Sequence, residues 1–143
     1  MAGVYFHFPF CKQACTYCNF HFSTSLNKKN LMIRSMLKEL KLRKDFFNND
    51  IVDSIYFGGG TPSLIDAKLI GEFILSVKEN FKVSDDIEIT LELNPDDSSI
   101  KYLTSLKENQ VNRLSIGIQS FNQEDLFLMN RYHTANQSYD TIK

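Results

Sequence analysis

Residues 5–18, YFHFPFCKQACTYC, join a short aromatic run to three closely spaced cysteines. The run at residues 4–8 predicts a β-strand, because aromatic and β-branched side chains favour strands. Pro9 ends that strand, and Cys11, Cys15 and Cys18 follow at spacings of four and three residues. This stretch therefore predicts a strand that leads three thiols into one loop.

Outward from this stretch, short strand-like runs alternate with longer amphipathic runs. Met32, Met36, Leu37 and Leu40, for example, recur at the three- and four-residue spacing of one helix face. The chain is thus α/β, with four βα units whose parallel strands form either an open doubly wound sheet or a closed or partial (β/α) barrel. We predict strands at residues 4–8, 51–57, 87–93 and 113–118, and helices at about residues 26–47, 66–80, 99–108 and 123–129.

The chemically unusual residues follow the predicted strands. The cysteines follow the first strand, the run GGGTP at 58–62 follows the second, Glu92 lies near the end of the third and Gln119 follows the fourth. Both parallel architectures place ligands at the carboxyl ends of their strands. We therefore expect the four loops to converge on one site, although Gly58 or Pro95 taken singly is more typical of an ordinary turn.

The three thiols predict a site for a soft metal. Cys11, Cys15 and Cys18 suit an iron–sulfur cluster or zinc. On a four-iron cluster, three thiolates leave one iron free to bind a small molecule. A zinc-stabilised binding module is the alternative, because His21 lies three residues beyond Cys18 and could complete a tetrahedral site. A metal-free α/β domain with incidental cysteines is a third interpretation, and spacing alone leaves all three open.

Composition argues against several partners and compartments. The 143 residues carry 16 basic and 17 acidic side chains, so no cationic field favours nucleic acid or an anionic membrane. No apolar run approaches the roughly 20 residues of a membrane span. Three cysteines within eight residues are atypical of a secreted disulfide framework. We therefore predict a cytoplasmic protein without a membrane span.

Four motifs in order carry a family resemblance. They are the cysteine stretch at 5–18, the glycine run at 58–62, ELNP at 92–95 and RLSIGIQSFN at 113–122. From residue 5 to residue 133 the chain is similar to radical S-adenosylmethionine (SAM) proteins, in the branch of oxygen-independent coproporphyrinogen III oxidase and the HemW-type haem chaperones. The resemblance implies that residues 1–143 are the N-terminal portion of a radical SAM core domain, with about four of the usual six βα units and a C-terminal domain further on.

The resemblance also implies cofactors and their ligands. Cys11, Cys15 and Cys18 match the ligands of a 4Fe–4S cluster that cleaves SAM reductively to a 5′-deoxyadenosyl radical. No residue is assigned a catalytic role. The positions that match SAM contacts are Tyr5, Tyr17, Gly59, Gly60, Thr61, Glu92, Gln119 and Arg131.

Plainer interpretations stand beside three of these positions. Glu92 shares a period-two face with Glu88 and Thr90 and could simply be solvated. Tyr5 and Tyr17 are as typical of packing beside a metal site as of ligand contact.

The two histidines other than His21 support only weaker predictions. His7 matches a histidine of the family's Tyr-x-His motif, and a role in the core is equally consistent with it. His133 follows Arg131 and is more typical of a surface or loop residue than of a metal ligand.

One position separates the two branches of the resemblance. The oxidases typically carry a further cysteine two residues after the third one, where this sequence has Phe20. The resemblance therefore favours a chaperone that binds haem and passes it to an acceptor protein. The alternative is an enzyme that decarboxylates coproporphyrinogen III oxidatively in porphyrin biosynthesis. The chaperone branch carries its haem-binding motif beyond residue 143, and neither the acceptor nor the electron donor follows from the sequence.

Overall fold

One parallel four-stranded sheet organises the chain. The computed structural model describes residues 2–143, and its strands are β1 (Ala2–Phe8), β2 (Val52–Gly59), β3 (Val83–Leu93) and β4 (Arg113–Ile116). The strands lie side by side in chain order, each parallel to the next. A doubly wound sheet would reverse its strand order part-way, whereas a barrel keeps it sequential. The predicted partial barrel of four βα units is therefore confirmed.

Helices alternate with these strands and most begin at a side-chain cap. Asp66, Ser99, Asn122 and Thr134 each accept a hydrogen bond from a backbone N–H in the first turn of the helix that follows. Single 3-10 turns lead out of β2 and β3. The helices are α1 (Lys29–Leu42), α2 (Ala67–Asn80), α3 (Ile100–Glu108), α4 (Gln123–Leu128) and α5 (Ala135–Thr141), and the 3-10 turns are Pro62–Leu64 and Pro95–Asp97.

The first helix is shorter than the sequence pattern predicts. It was expected over residues 26–47 but ends at Leu42, and residues 43–49 form turns. Phe47 packs edge-on against Phe81, with ring centroids 5.1 Å apart, and Asn48 has a left-handed φ of 46°. A tertiary contact and a turn-forming asparagine therefore end the helix before its apolar pattern ends.

The chain after β3 differs from the prediction in two further places. β4 stops at Ile116 rather than at residue 118, because the N–H of Ile118 turns back to donate to the Ile116 carbonyl at 2.9 Å. The short helix α5 was not predicted. Its N-terminus carries a capping box between Thr134 and Gln137, which is a local signal that the sequence does contain.

The hydrophobic core lies between the helices and one face of the sheet. Phe6 of β1 stacks on Phe57 of β2 with centroids 5.1 Å apart, and Phe73 of α2 packs against Phe6 at 4.8 Å. Phe8 meets the same Phe73 edge-on at 5.6 Å. Phe57 and Phe73 have no exposed surface. This aromatic cluster joins the first two βα units.

The opposite face of the sheet, called the open face below, is polar. Strand register aligns Tyr5, Tyr56, Thr90 and Arg113 in one row across the four strands. In β1, β2 and β3 these residues alternate with core residues, as the two-residue period requires. The carboxyl end of this face leads into the loops that carry the cysteines and the glycine run.

Candidate functional site

A cleft of about 340 Å³ opens at the carboxyl ends of the strands. Tyr5 does not line it and lies on the open face, where its hydroxyl is 3.1 Å from His7 Nδ1. His21 is exposed and also lies outside the lining. The structure brings every other predicted ligand position to this cleft: Cys11, Cys15, Tyr17, Cys18, Gly59, Gly60, Thr61, Glu92, Gln119 and Arg131.

Backbone hydrogen bonds attach the cysteine loop (residues 9–23) to the glycine run. The N–H of Gly60 donates to the Phe8 carbonyl at 2.7 Å, and the N–H of Thr61 donates to the Phe10 carbonyl at 2.7 Å. These two donors therefore already have partners inside the protein. An amine that entered the cleft, itself a donor, would have to be received by oxygen atoms of this segment.

The glycine run has a steric reason to lack side chains. Gly59 has a φ of 109°, which few other residues adopt. A Cβ on Gly60 would lie 2.6 Å from the Phe10 carbonyl oxygen and 2.9 Å from Cys11 Sγ. Gly60 thus lets the end of β2 pass directly beside the first thiol, and any larger residue would displace the cysteine loop.

The first thiol lies in a partly buried, mixed electrostatic environment. Burial raises the pKa of Cys11, and a hydrogen bond with Thr61 acts in the opposite direction. The neighbouring thiols of Cys18 and Cys15 raise the pKa further, while the Arg131 guanidinium lowers it. The three thiols and this cation are therefore close enough to influence one another.

Arg131 connects three of the loops that form the cleft. Its Nη2 donates to Asn94 Oδ1 at 2.7 Å and to the Gly117 carbonyl at 2.8 Å. Its Nη1 lies 3.6 Å from Cys15 Sγ and 3.4 Å from the Tyr17 hydroxyl. The Nε atom is buried and has no hydrogen-bond partner among residues 2–143. Arg131 therefore holds the cleft together, with its Nε enclosed by the protein.

Glu92 is held in a fixed orientation at the end of β3. The Tyr56 hydroxyl donates to Oε1 at 2.8 Å, and the N–H of Gly59 donates to Oε2 at 3.2 Å. The period-two interpretation is correct in that Glu88, Thr90 and Glu92 share the open face. Glu92 is nevertheless only half-exposed and hydrogen-bonded to the protein, so it is not simply a solvated surface carboxylate.

Gln119 follows β4 in an unusual backbone conformation. Its φ is 64°, and the N–H of Ser120 donates to the Ile118 carbonyl at 2.8 Å across it. A non-glycine residue in such a region costs about 1–3 kcal/mol, and residues of this kind cluster at ligand sites. The side chain is exposed and lines the cleft.

His133 was expected to be a surface or loop residue; it does lie in a loop, but it is buried rather than at the surface. Its side chain is 1% exposed, with Nε2 lying 3.1 Å from the Ile118 carbonyl oxygen. The segment after α4 folds back against the loop that follows β4, and this contact buries the ring. Burial lowers the pKa of His133, and the nearby charge of Arg131 lowers it further.

Several residues of the site were missed by the sequence reasoning. Asn94, which lines the cleft, was noticed only as part of the ELNP motif, and Tyr56, which orients Glu92 from outside the lining, only as a strand residue. Lys12, Asp96 and Tyr132 also line the cleft. The positions of Lys12 and Asp96 in the loops after β1 and β3 were a usable signal, since ligand sites of parallel sheets gather at strand carboxyl ends. Tyr132 follows a helix and carried no such signal.

The donor set is compatible with an iron–sulfur cluster. Within residues 2–143, no three His, Cys, Asp or Glu side chains converge closely enough to ligate one metal ion. In a four-iron cluster each thiolate binds a different iron, so the ligands stand further apart than those of one ion. Three thiols lining one cleft, with the space beside Cys11 Sγ kept clear by Gly60, are consistent with that larger group.

Comparison with known proteins assigns the chain to a family. The family model described as the radical SAM superfamily matches residues 5–143. The chain belongs to the radical SAM superfamily. Membership in this superfamily implies SAM and a 4Fe–4S cluster as cofactors in general.

Relatives of this radical SAM chain carry several names. It is 34% identical over 142 residues to zebrafish (Danio rerio) radical S-adenosyl methionine domain-containing protein 1, mitochondrial, in a match that covers 99% of this chain and 32% of that protein. It is also 34% identical to the heme chaperone HemW of Lactococcus lactis, covering 99% of this chain and 36% of that protein. The chain therefore spans about a third of the length of these curated relatives.

A solved structure shares the fold closely. Coproporphyrinogen III oxidase (HemN) from Escherichia coli, described as a radical SAM enzyme, superposes with a TM-score of 0.87 at 28% sequence identity. The match covers 98% of this radical SAM chain and 33% of that protein. None of the helices in residues 2–143 is both long enough and apolar enough to cross a membrane.

Proposed function

We propose that Cys11, Cys15 and Cys18 hold a 4Fe–4S cluster and that SAM binds in the cleft beside them. The observation that carries this proposal is the shared lining of one cleft by the three thiols, residues 59–61 and Glu92. When bound and reduced, the cluster supplies the electron that cleaves the sulfonium of SAM.

The protein's own groups would position SAM by complementary hydrogen bonding. The fixed carboxylate of Glu92 accepts hydrogen bonds, which suits a ribose hydroxyl or an amine. Oxygen atoms of the segment 59–61 would receive the methionyl amine, because an amine donates and only oxygen atoms of this segment can accept. The Arg131 guanidinium, whose Nη1 lies beside Cys15 and Tyr17, is a donor suited to a carboxylate.

The remaining predicted SAM contacts differ in how directly they would act. Gln119 and Tyr17 line the cleft and would touch SAM from its rim. Tyr5 lies outside the lining, next to Tyr56 with ring centroids 5.8 Å apart. For Tyr5 the proposed contact therefore requires SAM to reach from the cleft onto the open face.

For the whole protein we propose a haem chaperone, of which residues 1–143 form the N-terminal part of the radical SAM core domain. The relative named HemW and Phe20, in place of a fourth cysteine, support this choice. Phe20 is 72% exposed at the cleft, so it offers an apolar surface there in place of a thiol. Haem, an acceptor protein and an electron donor would be the partners, and the cytoplasm is our proposed compartment.

Oxygen-independent coproporphyrinogen III oxidase is the second candidate. The fold likeness to the oxidase from Escherichia coli supports it. In that case the same cleft would serve oxidative decarboxylation in porphyrin biosynthesis.

Anaerobic reconstitution of the natural full-length protein with iron and sulfide tests the cofactor site. We expect a 4Fe–4S cluster by absorbance and electron paramagnetic resonance, and 5′-deoxyadenosine after reduction with SAM present. Cys15→Ser should abolish the cluster, whereas the matched variant His21→Ala should retain it. A colourless protein that holds stoichiometric zinc, and loses it on His21→Ala, would establish the zinc module instead.

Two assays on the reconstituted protein separate chaperone from oxidase. A chaperone should bind haem stoichiometrically in an absorbance titration, transfer it to an apo-haem protein and leave coproporphyrinogen III unchanged. Release of carbon dioxide from coproporphyrinogen III, dependent on SAM and reductant, would replace the chaperone proposal with the oxidase.

A further inference from the structure

A charged triad ties the cysteine loop to the loop after β3. The Lys12 ammonium, directly after the first cysteine, donates to Asp96 Oδ2 at 2.6 Å and also to Asp97 Oδ1. The two carboxylates are largely buried, with side chains 5% and 11% exposed, and the lysine side chain is 30% exposed. Partly buried ion pairs of this kind restrict geometry more than surface pairs do.

The triad extends to the loops that follow β2 and α4. Asp97 Oδ2 accepts a hydrogen bond from the Ser63 hydroxyl at 2.6 Å. The Lys12 ammonium lies 5.5 Å from the centre of the Tyr132 ring. One lysine thus connects the cysteine loop with three other segments at the cleft, two directly and one through Asp97.

The triad also carries an excess of negative charge beside the thiols. Two carboxylates face one ammonium, and Lys12 and Asp96 both line the same cleft as the three cysteines. Asp96 Oδ1 is buried and has no hydrogen-bond partner among residues 2–143, so one oxygen of the triad receives no donor. Local net charge is one of the factors that set the reduction potential of an iron–sulfur cluster.

We propose that Lys12, Asp96 and Asp97 are positioning residues that hold the cysteine loop in place and set the charge next to the cluster. The positioning part stands on the ion-pair geometry alone. The charge part rests on the proposed function, because it needs a cluster bound to the cysteines. In the charge part of the proposal, the carboxylates disfavour the addition of an electron to the cluster, and the ammonium favours it.

The experiment compares Lys12→Met with Asp96→Asn in the reconstituted full-length protein. Potentiometric titration monitored by electron paramagnetic resonance should show a lower reduction potential for Lys12→Met and a higher one for Asp96→Asn. Lys12→Arg should restore the natural value. A purely structural disturbance has no reason to shift the reduction potentials of the two variants in opposite directions. Shifts in the same direction, or no shift, would therefore overturn the charge role.

A second measurement does not depend on the cluster. In the apo protein, amide hydrogen exchange at residues 11–18 should accelerate roughly tenfold in Lys12→Met, the size expected for a lost hydrogen bond to a charged group. The control is Lys38→Met, an exposed lysine of α1, which should leave these amides unchanged. Unchanged exchange in Lys12→Met would overturn the positioning role. Failure of the natural protein to form any cluster would instead remove the proposed function and, with it, the charge role.

Discussion

The two faces of the sheet come from the same strands but carry different chemistry. Toward the helices, Phe6 and Phe57 pack with Phe73 into a cluster with almost no exposed surface. On the open face, Tyr5 is 56% exposed, and Tyr56 uses its hydroxyl to orient Glu92. Because successive side chains of a strand point to opposite faces, one short sequence builds both. The comparison teaches that the side of the sheet packed against the helices supplies most of the stability. The open face and its loops carry the groups suited to ligand chemistry.

The largest expected effect tests the stability half of this comparison. Phe57→Ala removes a fully buried ring that contacts three others, and should lower the free energy of unfolding by about 3–5 kcal/mol. Tyr5→Ala, one strand away on the open face, should cost about 1 kcal/mol or less. Urea denaturation followed by circular dichroism measures both. Equal losses would break the division between the two faces.

The next largest expected effect tests the ligand-binding role of the open face. Glu92→Gln should weaken SAM binding by about tenfold to a hundredfold, the value of a hydrogen bond to a charged group, with little change in unfolding free energy. Glu88→Gln is the matched control, because Glu88 lies on the same face but is largely exposed and outside the cleft. Calorimetric titration of the reconstituted protein measures the affinities. Similar losses in the two variants would contradict a specific role for Glu92.

His133, a buried histidine that lies on neither face of the sheet, should make the stability of the protein depend on pH. Burial lowers the pKa of His133, so the folded state resists a proton that the unfolded state accepts. The contribution of His133 to the free energy of unfolding should be complete above about pH 6.5, the ordinary pKa of histidine. It should fall by at most about 1.4 kcal/mol per pH unit as the pH drops from there through the lowered pKa.

Denaturation of the apo protein between pH 7.5 and 5 measures this dependence. His133→Gln keeps an amide donor for the Ile118 carbonyl but cannot titrate, so it should flatten this part of the pH profile. A profile that is the same in both proteins would place the titrating group elsewhere.

The smallest effect concerns a residue that acts through Glu92. Tyr56→Phe removes the 2.8 Å hydrogen bond that orients the carboxylate but keeps the ring. SAM affinity should fall about twofold to tenfold, because a single net hydrogen bond contributes about 0.5–1.5 kcal/mol. The loss should vanish in a Glu92→Gln background if Tyr56 acts only through Glu92, and a double-mutant cycle of affinities checks this.

Element types were more predictable than element ends. The four strands and the helices up to α4 follow from apolar spacing, and Asp66, Ser99 and Asn122 are capping residues that the sequence displays. The predicted end of α1 was wrong because Phe47 turns away from the helix to pack on Phe81. This contact joins residues 34 positions apart, so the local apolar spacing does not reveal it. The cleft's thiols and glycines were predictable because the thiols follow β1 and the glycines lie at or just beyond the end of β2, although the strand runs on to Gly59 rather than ending at residue 57.

The sequence by itself determined the alternation of strands and helices, the thiol loop and the glycine run, because these depend on neighbours along the chain. Only the tertiary structure decided that Arg131 reaches Asn94 and that Lys12 meets Asp96. Such pairs join residues far apart in sequence, and their meeting depends on strand register and on how each loop closes. Many distant charged residues could pair in a linear chain, and the packed sheet brings only a few of them within hydrogen-bonding distance.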